Sequence, residues 1–499
     1  MKSPFFRLVF PVMCCSALLL LFACSPRAVS HAVVFQQGSF DPGATKLSVA
    51  LDEGESRLLE RFPDLISVNL TGSKDISEVS AFAAAHPEID VKCDLDLLGQ
   101  TVSYDTAKLT ASGNWPSAEI QRAIDVLPYL KALDIRSCKL DNATLFTLVQ
   151  ANPSLSIQCM AEVFGEPIDN QTTSLVIHAS ETESEDFVGE LSRALGLFPA
   201  LQVVDLTQLN ATLTPETVLA LQQQFPALEV LYTFHLFGRE IKTSDTEIDL
   251  YEVRVKNEGV PELERVLACL PNCTYADMAY TKVDNKTMAA LAAKFPKIKF
   301  SWMIHFAAYS CRTDANMLKA SKPFYGFSSD VADILKYCTD LVYLDIGHNK
   351  LTNLSFLANM KHLKVLIAAI SYNITDISAV ANCTELEYLE LFSNRIADVS
   401  PLSALTQLKH LNICNNRITD ASPLYSLQNL ERLWIANNPL SDEQKAALVK
   451  QLPNCEVNLT THNPTAEGWS KGERYDLLSK QFHYGSPIIY ERFGTFNHP

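Results

Sequence analysis

The fold is decided by the pattern Leu408-Lys-His-Leu411-Asn-Ile413-Cys-Asn-Asn416-Arg-Ile418, which recurs along the C-terminal part of the chain. Its copies are 22, 23, 22 and 22 residues apart and begin at Leu341, Leu363, Leu386, Leu408 and Leu430. The copy at Leu363 carries one extra residue before Asn373. A repeat of this length is one unit of a solenoid, because a single unit cannot bury its apolar face without neighbours.

The conserved spacing of apolar and amide side chains within each copy has a direct structural explanation. The aliphatic residues at the first, fourth and sixth positions point inward from a short strand and from the bend before it, since side chains alternate across a strand. Stacked parallel strands then bury these residues in continuous columns. The ninth position is an asparagine where the backbone leaves the strand, and its amide can satisfy backbone groups of its own and the neighbouring turn. We expect structural roles for Asn349, Asn394, Asn416 and Asn438.

The second half of each unit carries signals for a short helical turn. In Ile418-Thr-Asp420-Ala-Ser422-Pro423-Leu424 a serine stands at the expected N-cap and a proline at the first helical position. An aspartate recurs at the bend before the turn, at positions Asp376, Asp398, Asp420 and Asp442. We expect local capping by these aspartates. A calcium site is the alternative, although the spacing of an EF-hand is absent.

The signature LxxLxLxxNxL, repeated five times over residues 330–459, resembles the internalin-like leucine-rich repeats of bacterial surface proteins. The resemblance implies an α/β fold, a leucine-rich-repeat solenoid of horseshoe shape with a parallel sheet on its concave side. It also implies that the concave face binds a partner protein.

Residues 44–329 show a looser repeat, which predicts degenerate long leucine-rich repeats with longer helices on the convex side. Four alignable strands are led by prolines 65, 71 and 72 residues apart, at Pro63, Pro128, Pro199 and Pro271. A second strand follows each of them after a helical stretch, at Pro87, Pro153, Pro226 and Pro296. A weaker third strand is expected near Thr45, Thr106, Thr173, Thr246 and Ala315. We expect one solenoid that continues into the regular repeats; the alternative is a separate α/β domain.

The N-terminus has the features of an export signal. Lys2 and Arg7 precede the apolar run 8–22, which is shorter than the roughly twenty residues that span a bilayer. Leu21-Phe22-Ala23-Cys24 resembles the bacterial lipobox. We therefore expect a signal peptide over residues 1–23, an acylated Cys24 and a tether over 24–43. This places the protein on the outer face of the cell membrane, with a lipid as its only membrane contact. If Cys24 is not acylated, the protein is secreted.

Composition and missing motifs argue against several classes of function. The 41 basic and 57 acidic residues give a net charge of −16, which disfavours a nucleic-acid partner. The sequence contains no GxSxG, P-loop, HExxH or strand-linked GxGxxG pattern and no Cys/His spacing for zinc, so we expect no cofactor, no metal and no catalysis. A hydrolase with an unrecognised site is the weakest alternative. Four of the thirteen cysteines occupy equivalent apolar positions, which favours buried thiols over disulfides or zinc, at Cys273, Cys338, Cys383 and Cys455.

The third, fifth and seventh positions of each repeat are expected to project from the concave face. Clustered Tyr, Phe, Trp and Arg are typical of binding hot spots. The candidate ligand-binding residues are Tyr343, Asp345, Tyr388, Glu390, Phe392, His410, Asn412, Arg432 and Trp434. We predict a monomeric, non-enzymatic protein-binding scaffold. The alternative is a glycan or cell-wall binding protein that stacks sugars on Trp434 and Tyr388.

Residues 460–499 are rich in aromatic side chains, namely Trp469, Tyr475, Phe482, Tyr484, Tyr490, Phe493 and Phe496. A capping tail is expected, with Trp469 and Tyr475 packed on the last repeats. Two alternatives are an aromatic ligand site within the tail, and a tail that folds over the concave face and buries it.

Overall fold

The computed structural model describes residues 32–178, 187–209, 212–321, 326–461, 463–471 and 475–476. The predicted signal peptide and Cys24 lie outside these residues. The chain divides into two compact units, Met1–Thr172 with Val188–Leu201 and Thr173–Phe187 with Gln202–Pro499.

The first unit contains a hairpin and two blocks, in each of which three parallel strands are followed by a second hairpin. The strands are β1 (Val33–Phe35), β2 (Gly38–Phe40), β3 (Lys46–Ser48), β4 (Ser67–Asn69), β5 (Asp90–Lys92), β6 (Asp94–Leu97), β7 (Gln100–Ser103), β8 (Lys108–Ser112), β9 (Ala132–Ser137), β10 (Ser156–Gln158), β11 (Met160–Val163) and β12 (Glu166–Asp169). The helices are α1 (Ile76–Ala85), α2 (Ser117–Val126), α3 (Asn142–Ala151) and α4 (Phe187–Leu195). A 3₁₀ turn spans Ser56–Arg61.

The second unit repeats this block twice and ends in a seven-stranded parallel sheet, β23 to β29 in sequence order. The strands of its two blocks are β13 (Ser174–Val176), β14 (Val203–Asp205), β15 (Glu229–Leu231), β16 (Thr233–Leu236), β17 (Arg239–Lys242), β18 (Glu247–Asp249), β19 (Tyr275–Asp277), β20 (Lys299–Ser301), β21 (Met303–Phe306) and β22 (Tyr309–Arg312). Their helices are α5 (Pro215–Gln224), α6 (Lys256–Leu267) and α7 (Asn285–Lys294).

The seven-stranded sheet is built from three-residue strands, one per repeat. These are β23 (Met317–Lys319), β24 (Tyr343–Asp345), β25 (Val365–Ile367), β26 (Tyr388–Glu390), β27 (His410–Asn412), β28 (Arg432–Trp434) and β29 (Glu456–Asn458). The segments between these strands carry α8 (Ser329–Ala332), α9 (Asp442–Gln451) and 3₁₀ turns at Asp333–Tyr337, Ser355–Asn359, Ser378–Asn382, Ser400–Ala404 and Ser422–Ser426. Longer helices upstream and short turns downstream are as predicted, except for the ten-residue helix α9 in the last repeat.

The weak third strand of each block is confirmed, since β3, β8, β13, β18 and β23 begin close to the expected positions. Within the second unit an antiparallel hairpin follows each three-stranded sheet, and these sheets are separate from β23–β29. The continuous solenoid over residues 44–459 stays a prediction. In the β16–β17 hairpin, Phe237 (φ 51°) and Gly238 (φ 76°) form a two-residue turn of the primed type.

One buried side chain joins each of three hairpins to the strand before it. The amide of Cys159 donates to Asn170 Oδ1 at 3.0 Å. At the equivalent place Tyr232 N–H donates to Thr243 Oγ1 at 2.9 Å, and Trp302 N–H donates to Thr313 Oγ1 at 3.1 Å. These bonds satisfy backbone groups where the parallel ladder ends.

A fully buried arginine anchors the last hairpin. Arg312 on β22 pairs with Asp277 (Nη2 to Oδ2, 3.0 Å) and with Asp314 (Nε to Oδ1, 3.0 Å). Its Nη2 also donates to the Tyr275 hydroxyl at 3.0 Å and to Ser301 Oγ at 2.8 Å. All three charged side chains are inaccessible to solvent. The two carboxylates and two hydroxyls therefore replace the water that a charged guanidinium would otherwise require.

The aliphatic columns are formed as predicted. Leu344, Leu366, Leu389, Leu411 and Leu433 are fully buried and face one another across the parallel ladder. Ten cysteines of the described chain are free thiols and all but Cys455 are buried. Loss of solvation raises the pKa of Cys383 to about 12, which keeps this thiol protonated. Cys14, Cys15 and Cys24 lie outside the described residues.

The asparagine column is confirmed as a hydrogen-bonded ladder. Asn416 Nδ2 donates to the carbonyl of Ile413 in its own turn at 3.1 Å and to that of Leu391 in the preceding turn at 3.0 Å. Its Oδ1 accepts from Ile396 N–H at 3.0 Å. Asn438 makes the same three kinds of contact.

Replacing Asn416 with alanine is expected to destabilise the second unit by about 1–3 kcal/mol, since buried carbonyls and an N–H lose their partner. Urea unfolding measures the change. Asn373→Ala is the control, because Asn373 is half-buried and lies outside the ladder; it should change stability by less than about 0.5 kcal/mol. Equal losses from the two variants would contradict the structural role of Asn416.

Aspartates rather than serines cap the short turns, which corrects the predicted N-cap. Asp398 Oδ1 accepts from Ser400 N–H at 2.8 Å, and Asp420 Oδ1 accepts from Ser422 N–H at 2.8 Å. The expected capping role of aspartate is confirmed at these positions and at Asp376. It is wrong at Asp442, the first residue of α9, because Ser441 accepts the capping bond from Gln444 there.

Candidate binding site on the strand face

The candidate site residues lie on one side of the seven-stranded sheet, here called the strand face. It carries the third, fifth and seventh positions of each repeat and was predicted to be concave. The parallel register aligns Tyr388 with His410 and Arg432 in one row, and Glu390 with Asn412 and Trp434 in the next. Neighbouring strands lie about 4.8 Å apart, so side chains in each row touch. The sheet therefore brings together residues that are 22 or more positions apart in the sequence.

The prediction that these residues are exposed is wrong for most of them. Tyr388 is 3% exposed, Phe392 6% and Trp434 3%; Asp345, Glu390, His410 and Asn412 are also buried. Only Tyr343 and Arg432 are half-buried. The alternative of a tail that covers this face is the one that the structure shows. The aromatic rings on which a sugar would stack are thus not open.

A short turn over residues 463–469, here called the covering turn, buries the strand face. The amide of Glu467 donates to the Asn463 carbonyl at 2.9 Å, and Trp469 N–H donates to the Pro464 carbonyl at 3.1 Å. The Glu467 carboxylate accepts from Thr461 Oγ1 at 2.6 Å and from Asn463 N–H at 3.2 Å. These bonds tie the turn to the end of the last repeat.

Gly468 allows the covering turn to deliver the next residue onto the sheet. Its φ of 125° lies in a region that favours glycine. A Cβ atom at this position would contact the Trp434 ring at 3.7 Å. The peptide can therefore lie directly against the strand face, and Trp469 follows with its side chain directed into it.

Trp469 is buried in a pocket made by three side chains. Its ring centroid lies 5.6 Å from that of Trp434 and 5.7 Å from that of Tyr388. The Arg432 guanidinium lies 4.9 Å from the Trp469 ring and 5.0 Å from the Trp434 ring, a geometry that gives cation–π attraction to both. Arg432 Nη2 also donates to the Gly468 carbonyl at 3.1 Å. The predicted packing of Trp469 on the last repeats is confirmed.

Of the other tail aromatics, Tyr475 is half-buried, and its packing stays a prediction. Phe482, Tyr484, Tyr490, Phe493 and Phe496 lie outside the described residues.

Glu390 supplies a buried acceptor at the bottom of this pocket. Trp469 Nε1 donates to Glu390 Oε1 at 2.9 Å, and the Tyr388 hydroxyl donates to the same oxygen. Burial raises the pKa of Glu390 to about 7, against the opposing effect of these two donors and with a further increase from Asp345. Burial, together with the nearby Glu390 carboxylate, also raises the pKa of Tyr388 above its usual value. Glu390 therefore titrates near neutral pH.

Asn412 carries an unused donor beside the pocket. It is fully buried on β27, between Glu390 on β26 and Trp434 on β28. Its Oδ1 accepts from Cys414 N–H at 3.2 Å, whereas its Nδ2 has no hydrogen-bond partner in the described part of the chain. A buried donor without a partner is uncommon in folded proteins.

We expect the covering turn to open less often at pH 5 than at pH 8. Burial, to which the covering turn contributes, raises the pKa of Glu390 from its usual value of 4.5 to about 7. The resulting stabilisation is complete below pH 4.5 and is lost as the pH rises through 7. Amide hydrogen exchange of residues 463–471, corrected for the intrinsic rate, should show more frequent opening at pH 8 than at pH 5, by up to about fifty-fold.

Glu390→Gln is the control for this pH dependence, since glutamine keeps the acceptor and does not titrate. The variant should show the same opening equilibrium at both pH values. A wild-type chain whose corrected exchange is independent of pH would contradict the assignment.

Comparison with known proteins identifies the repeats independently. Residues 406–446 match the family described as Leucine Rich repeats (2 copies). No curated protein matches the chain. A solved structure of internalin C2 from Listeria monocytogenes is 26% identical, over 30% of this chain and 76% of that one, with a TM-score of 0.25.

Two further solved structures are similar over more of the chain. A leucine-rich-repeat protein of Leptospira interrogans is 15% identical over 84% of this chain and 93% of that one, with a TM-score of 0.27. A second internalin of Listeria monocytogenes is 17% identical over 79% and 92%, with a TM-score of 0.24. The parallel sheets with their helices agree with an α/β leucine-rich-repeat fold, and TM-scores this low show no likeness of overall shape.

In the described part of the chain, no group of three or more His, Cys, Asp or Glu side chains is arranged to hold a metal ion. Within the same residues, no helix has the length and apolar character needed to cross a membrane.

Proposed function

We propose that this protein is a non-enzymatic scaffold that binds a partner protein through the strand face. The observation that carries the proposal is the pocket around Trp469, in which two aromatic rings, a guanidinium and a buried carboxyl converge on one side of a repeat sheet. Trp, Tyr and Arg are the residues that dominate binding energy in protein interfaces. The leucine-rich repeats matched at residues 406–446 are consistent with this role, since proteins with such repeats commonly bind other proteins.

The proposed location is the outer face of a bacterial cell membrane, with an acyl-modified Cys24 as anchor and a monomeric chain extending outward. The lipobox-like sequence that ends in Cys24 supports the anchor. Metabolic labelling with radioactive palmitate tests it: the wild-type chain should be labelled and Cys24→Ser should not. An unlabelled wild-type chain would contradict the proposed lipid anchor at Cys24.

The binding function is tested by immobilising the chain and passing a whole-cell extract of the source organism over it. A protein retained by the wild-type chain should be lost with the double variant Tyr343→Ala, Arg432→Ala, which removes the two half-buried side chains of the strand face. Lys361→Ala is the control, because Lys361 is exposed and lies outside the strand face. Equal retention by the double variant and the control would place binding elsewhere.

A further inference from the structure

The covering turn reaches further across the sheet than the capping of an exposed end requires. β29 is the edge strand of the seven-stranded sheet. Trp469 instead contacts Arg432 and Trp434 on β28 and reaches Tyr388 on β26, three strands in from that edge. An end cap would be expected to cover β29, which has a strand neighbour on one side only in the described part of the chain. The contacts of Trp469 therefore cover side chains of the strand face and not the edge of the sheet.

We infer that the pocket filled by Trp469 is a recognition pocket for an aromatic, hydrogen-bond-donating side chain of a partner protein, and that Trp469 is an internal occupant which the partner displaces. This inference rests on the proposed function and names the chemistry of the partner. Its basis is the complementarity between the pocket and the indole.

Each wall of the pocket selects one property of the occupant. The rings of Tyr388 and Trp434 and the guanidinium of Arg432 favour a flat aromatic group, because each attracts an aromatic ring. Glu390 Oε1 accepts a hydrogen bond from the edge of that group, at 2.9 Å from Trp469 Nε1. A phenylalanine would stack but leave this acceptor with one bond fewer, and an aliphatic side chain would lose the ring contacts as well. Tryptophan and tyrosine meet both requirements.

The polar groups around the pocket also favour a polypeptide as the occupant. Arg432 Nη2 donates to the backbone carbonyl of Gly468, the residue before the inserted indole. A partner segment that presents an aromatic side chain brings a carbonyl to the same place. Asn412 Nδ2 has no hydrogen-bond partner among the described residues. An occupant that supplies an acceptor there would satisfy a group that Trp469 does not, which gives a partner an advantage over the internal occupant.

Displacement of an internal occupant makes affinity depend on how often the covering turn opens. A ligand that binds only the open form has its apparent affinity reduced by the open fraction. A chain whose own occupant is removed should therefore bind such a ligand more tightly than the wild-type chain.

The test uses a fluorescently labelled peptide with the sequence of residues 463–471, Asn-Pro-Thr-Ala-Glu-Gly-Trp-Ser-Lys, and fluorescence anisotropy. The peptide should bind Trp469→Ala saturably and wild type at least about tenfold more weakly, as expected when the open fraction is a tenth or less. A peptide with alanine in place of tryptophan should not bind. Adding Arg432→Ala to Trp469→Ala should abolish binding, whereas adding Lys361→Ala should leave it unchanged.

A second variant guards against misfolding of Trp469→Ala. Gly468→Ala keeps the indole but strains the covering turn, because φ at this position is 125°. It should bind the peptide with an affinity between those of wild type and Trp469→Ala. Absence of saturable binding by either folded variant, or equal binding of the alanine peptide, overturns the inference. Binding of chitin oligosaccharides in place of the peptide overturns it in favour of a glycan occupant.

Failure of the pocket assignment and failure of the proposed function give different results in these experiments. If the peptide fails to bind while the immobilised chain still retains a cell protein through Tyr343 and Arg432, only the pocket assignment fails. If the peptide binds and no cell protein is retained, the proposed function fails.

Discussion

Arg312→Met is expected to destabilise the second unit by about 3–5 kcal/mol, the usual cost of removing one partner from a buried ion pair. Arg312 is the only cation within hydrogen-bonding distance of Asp277 and Asp314 among the described residues, and all three side chains are inaccessible to solvent. Without it, two carboxylates stay buried together and repel each other. Urea unfolding of the purified chain measures the loss.

Arg136 provides a matched control, because it also links two aspartates next to a hairpin. It pairs with Asp134 at 2.7 Å and with Asp169 at 3.0 Å, but its side chain is 43% exposed. Arg136→Met should therefore cost less than about 1 kcal/mol. Adding Asp277→Asn and Asp314→Asn to Arg312→Met should recover much of the loss, since no net charge is left buried. Equal costs for Arg136→Met and Arg312→Met would contradict this account.

Leu411→Ala is expected to destabilise the second unit by about 2–5 kcal/mol, towards the upper end of this range. Leu411 is fully buried on β27 between Leu389 and Leu433, which are also fully buried. The backbones on both sides are fixed by parallel ladders, so the cavity cannot close. Chemical unfolding followed by circular dichroism gives the magnitude.

The control for this cavity is Val449→Ala on α9, because Val449 is 48% exposed. It should change stability by less than about 0.5 kcal/mol. If Leu411→Ala lowers the free energy of unfolding by less than about 1 kcal/mol, the buried aliphatic column is not a main source of the stability of the repeats.

The regular repeats could be predicted from sequence because each position has one structural role. The aliphatic columns and the asparagine ladder follow from periodicity and hydrogen-bonding capacity alone. The hairpins were not predicted, because their turns at Leu98-Gly99, Phe164-Gly165 and Phe237-Gly238 place a bulky residue at the first left-handed position, where Asn, Asp or Gly is the usual signal.

The irregular copy at Leu363 shows a limit of the pattern. Ser371 is buried without a hydrogen-bond partner for its hydroxyl in the described structure, and Asn394 Oδ1 also lacks one. The extra residue adds a second left-handed position, Tyr372 (φ 61°), after Ile370 (φ 56°), and exposes the Tyr372 ring. The ladder is interrupted where the backbone bulges. The sequence shows that this copy is one residue longer. It does not show which residue adopts the extra left-handed conformation.

The candidate site was predicted in part. Periodicity correctly placed Tyr388, Glu390 and Trp434 on one face, because alternation determines the side on which a residue lies. It could not show what covers that face. The bond from Trp469 to Glu390 joins residues 79 positions apart, and no repeat relates them. The raised pKa of Glu390, which burial causes, was also beyond the reach of the pattern. The same is true of Asn412 Nδ2, which has no hydrogen-bond partner among the described residues.

The most direct test of the covered strand face is the reactivity of Cys414 towards iodoacetamide, followed by mass spectrometry. Cys414 lies in the aromatic cluster beneath Trp469, where burial raises its pKa to about 12. Cys383 is an internal control, since it is equally buried but lies in a repeat core outside this cluster. Cys414 should be protected in the wild-type chain and alkylated in Trp469→Ala, with Cys383 protected in both. Equal reactivity of Cys414 in the two chains, while Cys383 stays protected, would contradict the account.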